Sequence, residues 1–240
     1  MLLNSLVPMG WLEYSLFVTF VLDKFIKTDF SLIIQNNGCV LNDNAFREEF
    51  FEFDYIGAPS GQGQLITEGK TEDIKYFDWI SHYLSQKPGE VNFHMNGGFS
   101  LRSQCFLKAP AELGLDYRFR APEFIRHKND DYPRRMKWNN GDAWEEYYHC
   151  VTNHSVMEGA GLRFAPFCIA RHFSFEHYNP CVHRGIDLSQ SFGHHAPMRR
   201  LLSLEPLTVG YLWKECEVMG IKFETEIVAA FRQCGYTVFF

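Results

Sequence analysis

Eight residues near the middle of the chain, Asn96-Gly97-Gly98-Phe99-Ser100-Leu101-Arg102-Ser103, set hydroxyls and a guanidinium beside a bare stretch of backbone. Two adjacent glycines add no side-chain packing; they let backbone approach another group closely or turn through φ > 0. Beyond them the chain alternates, with Phe99 and Leu101 on one side and Ser100, Arg102 and Ser103 on the other. That is the pattern of a short strand with one dry and one wet face. A wet face of this kind suits hydroxylated or phosphorylated ligands. The structural alternative is a Gly-Gly bulge leading into an ordinary half-buried strand.

Four other places carry polar groups that could do chemistry. Gln35-Asn36-Asn37-Gly38 ends the apolar run Phe30–Ile34, and in open α/β sheets ligands sit beyond the carboxyl ends of such strands. Asp142 stands where a helix begins, with Glu145 at the capping-box position, so it reads as a cap, a base or both. Glu176 lies between aromatic residues, where a carboxylate needs a partner; it is either in a structural ion pair with an Arg or His or a contact to a ligand. His194 and His195 are adjacent, so on a strand they point to opposite faces and at most one reaches a given metal.

The elements that must position these groups follow from periodicity. Phe17, Phe20, Val21 and Phe25 predict a helix within Tyr14–Ile26, and Phe30–Ile34 predicts a fully buried strand of the kind found in parallel sheets. A helix is expected over residues 43–53, then a short strand at Tyr55–Pro59, a Gly/Gln-rich loop over 60–70 and a helix through Ile74, Phe77, Ile80 and Leu84. The strand bearing Gly97 comes next. The charged segment 116–137 reads as a surface loop, or as a lid whose bases meet phosphates. A helix with Trp144, Tyr147, Tyr148 and Val151 on one face precedes a short strand near 162–170. Two helical patterns occupy the stretch from about Pro206 to Gln233.

A hydrophobic fraction of 46% over 240 residues supports a sizeable core. The net charge of -6 offers no global field for nucleic acid. Seven widely spaced cysteines without a Cys-x-x-Cys pair fit neither a disulfide framework nor a structural zinc site. The apolar start lacks a basic n-region, and Glu13 and Asp23 bracket a run too short to span a bilayer. The expectation is a cytoplasmic protein with no membrane span.

Taken in order, Gln35-Asn36-Asn37-Gly38, Tyr55-Ile56-Gly57-Ala58-Pro59, Asn96-Gly97-Gly98-Phe99-Ser100-Leu101-Arg102, Phe173-Ser174-Phe175-Glu176 and Phe192-Gly193-His194-His195 resemble an uncharacterised family of predicted glycosyltransferases of the GT-A type. The likeness spans roughly residues 14 to 200. It implies an α/β fold with a GT-A-like mixed, mainly parallel sheet flanked by helices, as a domain over 1–205 with a helical appendage over 206–240. The 34 residues before Gln35 read as one helix and one strand, so the N-terminal nucleotide-binding unit is shortened. The implied chemistry moves a sugar from a nucleotide-sugar donor to a hydroxyl acceptor such as a glycan, with Mn²⁺ or Mg²⁺ on the diphosphate.

By position in that family, Asn37 replaces a metal-site Asp, His195 is the late metal-site His, and Asp142 is the general base. Gln35, Asn96, Gly97, Gly98 and Arg102 become donor-binding residues, and Glu176 an acceptor contact. The neutral Asn37 binds a hard dication more weakly than Asp does, and Gly141 replaces the acid before Asp142. Two other classes stand beside this one: a non-catalytic relative that binds a glycan or protein partner, and a metal-dependent hydrolase built on the His-rich region, which lacks His-Glu-x-x-His.

Overall fold

A computed structural model describes residues 11–35, 38–85, 90–117, 123–125, 135–137, 144–176, 179–183, 185–187, 190–195, 208–210 and 237–239. Its centre is β5 (Val91–Ser103), a 13-residue strand buried along its whole length. β5 lies between β1 (Phe30–Ile34) and β3 (Tyr55–Thr67), and β4 (Lys70–Ile74) completes a four-stranded sheet of order β1-β5-β3-β4. Every pairing in it is antiparallel.

The fold is therefore α/β, but its main described sheet differs from the mainly parallel one expected. β1 shows why the sequence misleads. Its apolar run suggested a strand covered on both faces, yet β1 is an edge strand, with Leu32 37% and Ile34 46% exposed. β6 (Glu123–Ile125) and β7 (Arg135–Lys137) pair antiparallel by themselves, and among the described residues parallel pairing is confined to short pieces: β8 (Ser174–Phe175) on β9 (Gly193–His195), β10 (Thr208–Gly210) on β11 (Thr237–Phe239), and a bridge from Tyr55 to Phe164. β2 (Gly38–Val40) joins β9 antiparallel, so the order of the second sheet is β2-β9-β8. Of the expected helical appendage, β10 and β11 are described and the rest lies outside the described residues.

Two irregularities shape β5 and β3. Gly57 pairs with Ser100 and Ala58 with Asn96, so residues 97–99 of β5 have no opposite number on β3. Pro59 pairs with Met95 and Gly63 with Phe93, so residues 60–62 of β3 bulge opposite His94. The Gly/Gln-rich stretch is thus a bulged strand that returns through a two-residue turn, not a loop. Glu68 and Gly69 both have positive φ there, 50° and 76°, the pairing that matches strand twist in a tight hairpin.

Alternation along β5 sorts side chains to two faces. Val91, Phe93, Met95, Phe99 and Leu101 enter the apolar core, where Trp79 stacks on Phe93 at 4.8 Å and Phe167 meets Trp79 edge-on. Trp79 belongs to α2 (Trp79–Ser85), and Phe167 to α6 (Phe167–Phe173), which takes the place of the strand expected near 162–170. Asn92, His94, Asn96, Ser100 and Arg102 alternate with them and are also buried. The face expected to be wet is covered by α4 (Glu145–Tyr147), which runs on through a π-turn at Tyr148–Thr152 into α5 (His154–Gly159). Ser103 leaves the sheet to cap α3 (Gln104–Glu112): its hydroxyl accepts from Phe106 N–H and donates to Asp54.

On the N-terminal side, the helix expected within 14–26 is α1 (Trp11–Phe20) followed by a separate 3₁₀ turn at Leu22–Lys24, so Val21 and Phe25 lie outside α1. The helix expected over 43–53 is two separate 3₁₀ turns, Asp43–Ala45 and Glu48–Glu52, the first capped by the Asn42 side chain. No described helix is long and apolar enough to cross a membrane.

Candidate functional site

The bulge at residues 97–99 is held by its own side chains. Asn96 Oδ1 accepts from Gly98 N–H at 2.7 Å, and Ser100 Oγ donates to the Gly97 carbonyl at 2.9 Å. The two glycines make room for protein groups. A methyl on Gly97 would meet Glu145 Oε1 at 2.5 Å and Arg102 Nη2 at 2.6 Å, and one on Gly98 would strike the His195 ring. His195 Nε2–H donates to Gln35 Oε1 at 2.9 Å, and Gln35 N–H donates to the Gly98 carbonyl. Gln35, Asn96, Gly97, Gly98, Arg102 and His195, scattered in sequence, are gathered around one kink in β5.

Arg102 is fully buried. Its Nε–H donates to Ser100 Oγ, its Nη2 to the Gly97 carbonyl at 3.3 Å and to Glu145 Oε1 at 3.0 Å, and its guanidinium lies over the Tyr55 ring. Burial opposes its charge, but the Tyr55 hydroxyl and the Glu145 carboxylate outweigh that and raise its pKa. Far from orienting a ligand in a wet groove, Arg102 anchors Glu145.

Glu145 and Glu146 stand side by side in unlike surroundings. Burial pushes Glu145 up, yet the hydrogen bond from Glu146 and the Arg102 charge hold it below the usual carboxylate range. Glu146 is only half-buried. Burial, then the Glu145 charge and the hydrogen bond to it, hold Glu146 well above that range. One carboxyl is fully buried and favoured as the anion, and its neighbour, 17% exposed, is favoured as the acid. Titratable neighbours driven apart in this way mark acid–base sites. Tyr14 of α1 adds a hydroxyl pushed up to about 12 by burial and by Glu145.

Next along β5, the His94 imidazole lies with Nε2 3.9 Å from Glu146 Oε1 and contacts the Ser60 hydroxyl through Nδ1. Burial lowers its pKa to about 4, against the opposing charges of Glu176 and Glu145. Glu176 is thus near enough to His94 for its charge to act on the imidazole. Asn37 and Asp142 lie outside the described residues. Sequence reasoning places Glu145 at a capping-box position and does not single out Glu146. No side chain caps α4; the signal for its real role was a buried Arg that needed a carboxylate.

Of the two residues expected to hold a metal, Asn37 lies outside the described residues, and His195 Nε2 is taken up by Gln35 Oε1, two neutral groups where a hard dication prefers six or more oxygen ligands including carboxylates. Among the described residues, no group of three or more His, Cys, Asp or Glu could hold a metal ion.

Fold and site together define an α/β protein with an unequal carboxyl pair set against a bulged central strand. The chain belongs to the family described as Protein of unknown function (DUF5672), whose model matches residues 14–195. Neither the curated proteins nor the solved structures contain a match.

Proposed function

We propose that this protein is a glycosyltransferase of GT-A type that moves a sugar from a nucleotide donor to a hydroxyl acceptor, with Glu146 as the base. The observation that carries this reading is the Glu145–Glu146 pair beside Gly97, with Glu145 fixed as an anion by Arg102. The motif resemblance supplies the reaction class, and the pair supplies a group suited to it. In the transfer, the acceptor oxygen bonds to the anomeric carbon while its proton passes to the Glu146 carboxylate. The nucleotide leaves with the electrons of the broken bond. A carboxyl with raised pKa is the stronger base once ionised, and general-base assistance is worth about 10²–10⁴ in rate. Glu145 and Arg102 act on the reaction through Glu146. Gln35 and the Asn96–Gly98 bulge form the donor side and Glu176 the acceptor side.

The test is a thermal-shift screen of the full chain against UDP-, GDP-, CMP- and dTDP-sugars, each with and without Mn²⁺. Ligand at 100 times its dissociation constant adds about 2.7 kcal/mol of stability, so one nucleotide class should raise Tm by several degrees. Glu146→Gln should keep that shift and lose transfer by at least about 10²-fold. A folded protein that responds to none of the donors, or an active Glu146→Gln variant, overturns the reading.

A further inference from the structure

The second bulge, residues 60–62 of β3, has so far no part in the chemistry. It sets the Ser60 hydroxyl against His94 Nδ1, with both residues buried. Among the described residues His94 is the sole partner of that hydroxyl. If Nδ1 carried the proton and donated to Ser60, the serine hydrogen would be left buried without an acceptor, at a cost of about 1–3 kcal/mol. Held on Nε2 instead, the imidazole proton is also buried and unpaired among the described residues, but it has an oxygen within reach, Glu146 Oε1 at 3.9 Å, which the serine hydrogen lacks; Ser60 therefore donates to Nδ1 and the imidazole proton resides on Nε2. A donor held this way is wasted on the protonated acid and useful to its anion.

We propose that Ser60 and His94 are positioning residues for Glu146: Ser60 locks His94 as the Nε2–H tautomer, and that N–H closes on the Glu146 carboxylate when it ionises. The inference rests on Glu146 as the base. The groups acting on Glu146 are Glu145 from the same helical turn and Arg102 from β5; those acting on His94 are Glu176 and Glu145, with the Tyr147 ring at 6.0 Å. Glu145 repels a second negative charge beside it, so without His94 the ionised form of Glu146 keeps, among the described residues, only a hydrogen bond from its own backbone and the Arg102 charge. No proton crosses His94 in this scheme; it moves a hydrogen bond and not a charge.

The experiment uses the full chain without donor or acceptor. Long-range ¹H–¹⁵N spectra of histidine-labelled protein read the His94 tautomer, and ¹³C-carboxyl glutamate spectra read the ionisation of Glu146, assigned by the signal lost in Glu146→Gln. The expected result is Nε2–H in the native protein. Ser60→Ala should mix the tautomers and move the Glu146 midpoint up by about one pH unit, a tenfold smaller ionisation constant; His94→Gln should move it likewise, and Ser60→Thr, which keeps the hydroxyl, should restore the native midpoint. A native His94 protonated on Nδ1, or a Glu146 midpoint indifferent to both Ser60→Ala and His94→Gln, overturns the proposal. Should a variant fail to fold, the native tautomer still decides. Because these spectra need no substrate, a failed donor screen leaves this result readable, and the reverse holds too.

Discussion

The Arg102–Glu145 pair shows how one side chain can be indispensable without contributing net stability. Taking both charges out of water costs several kcal/mol per ion, which the contact at 3.0 Å and the bonds to Ser100 and Gly97 offset in part. Breaking the pair from one side is a different matter. Glu145→Gln leaves a buried guanidinium without its counter-charge and should cost about 3–5 kcal/mol in urea unfolding. The double variant Arg102→Met/Glu145→Leu should recover most of that loss, since it leaves no orphaned charge. If Glu145→Gln unfolds at the native urea concentration, the ion pair is not the anchor described.

At the scale of elements, the hairpin turn invites a direct check. Glu68 is a non-glycine residue at positive φ, where Asn sits at lower cost. Glu68→Asn should raise stability by about 0.5 kcal/mol, measured as a higher urea midpoint at unchanged slope; a loss would mean that the turn is not of this type. The same hairpin shows how far the elements were legible. The Phe99/Leu101 alternation announced β5, and the adjacent glycines announced its kink. Gly61 and Gly63 were read as loop punctuation, although β3 uses this stretch to bulge around His94 and pass close to Trp79. Local pattern also showed that Phe30–Ile34 is a strand, but not its direction or its edge position, which depend on a partner about 70 residues away. The site was half legible for the same reason. Gly97, Gly98, Asn96 and Gln35 stand out by type, whereas Glu145, Glu146, His94 and Ser60 acquire meaning only when α4 and the β3 bulge are brought onto β5.

For the whole molecule, the buried histidines set the response to acid. Burial lowers His94 and His183 to about 4 and His149 to about 3, the last helped by the Arg102 charge. In the unfolded chain they take up protons near pH 6.5. Their folded values are depressed, so the stability tied to their neutral forms is complete above pH 6.5 and is lost as pH falls toward 4. Each contributes a slope of about 1.4 kcal/mol per pH unit across that window. Glu146 has the opposite sign: its folded value is raised, so its contribution is complete below about pH 4.3 and is lost as pH climbs through the folded value. Urea midpoints should therefore fall from pH 7 to pH 5, and His149→Phe should flatten that fall. Midpoints that hold steady over this range would show that these rings are not buried as neutral groups.

The place of β5 between two strands that precede it in sequence has a consequence for cutting the chain. A break at the exposed Glu68–Gly69 turn leaves β1 and β3 on one fragment and β5 on the other. Neither fragment then holds a finished ladder of the main sheet, and each carries the template that the other lacks. Two separately expressed pieces, 1–68 and 69–240, should recombine when mixed, with β5 as the zipper, and a donor-induced thermal shift should return with the complex. The central strand would then serve as the seam of a two-part reporter.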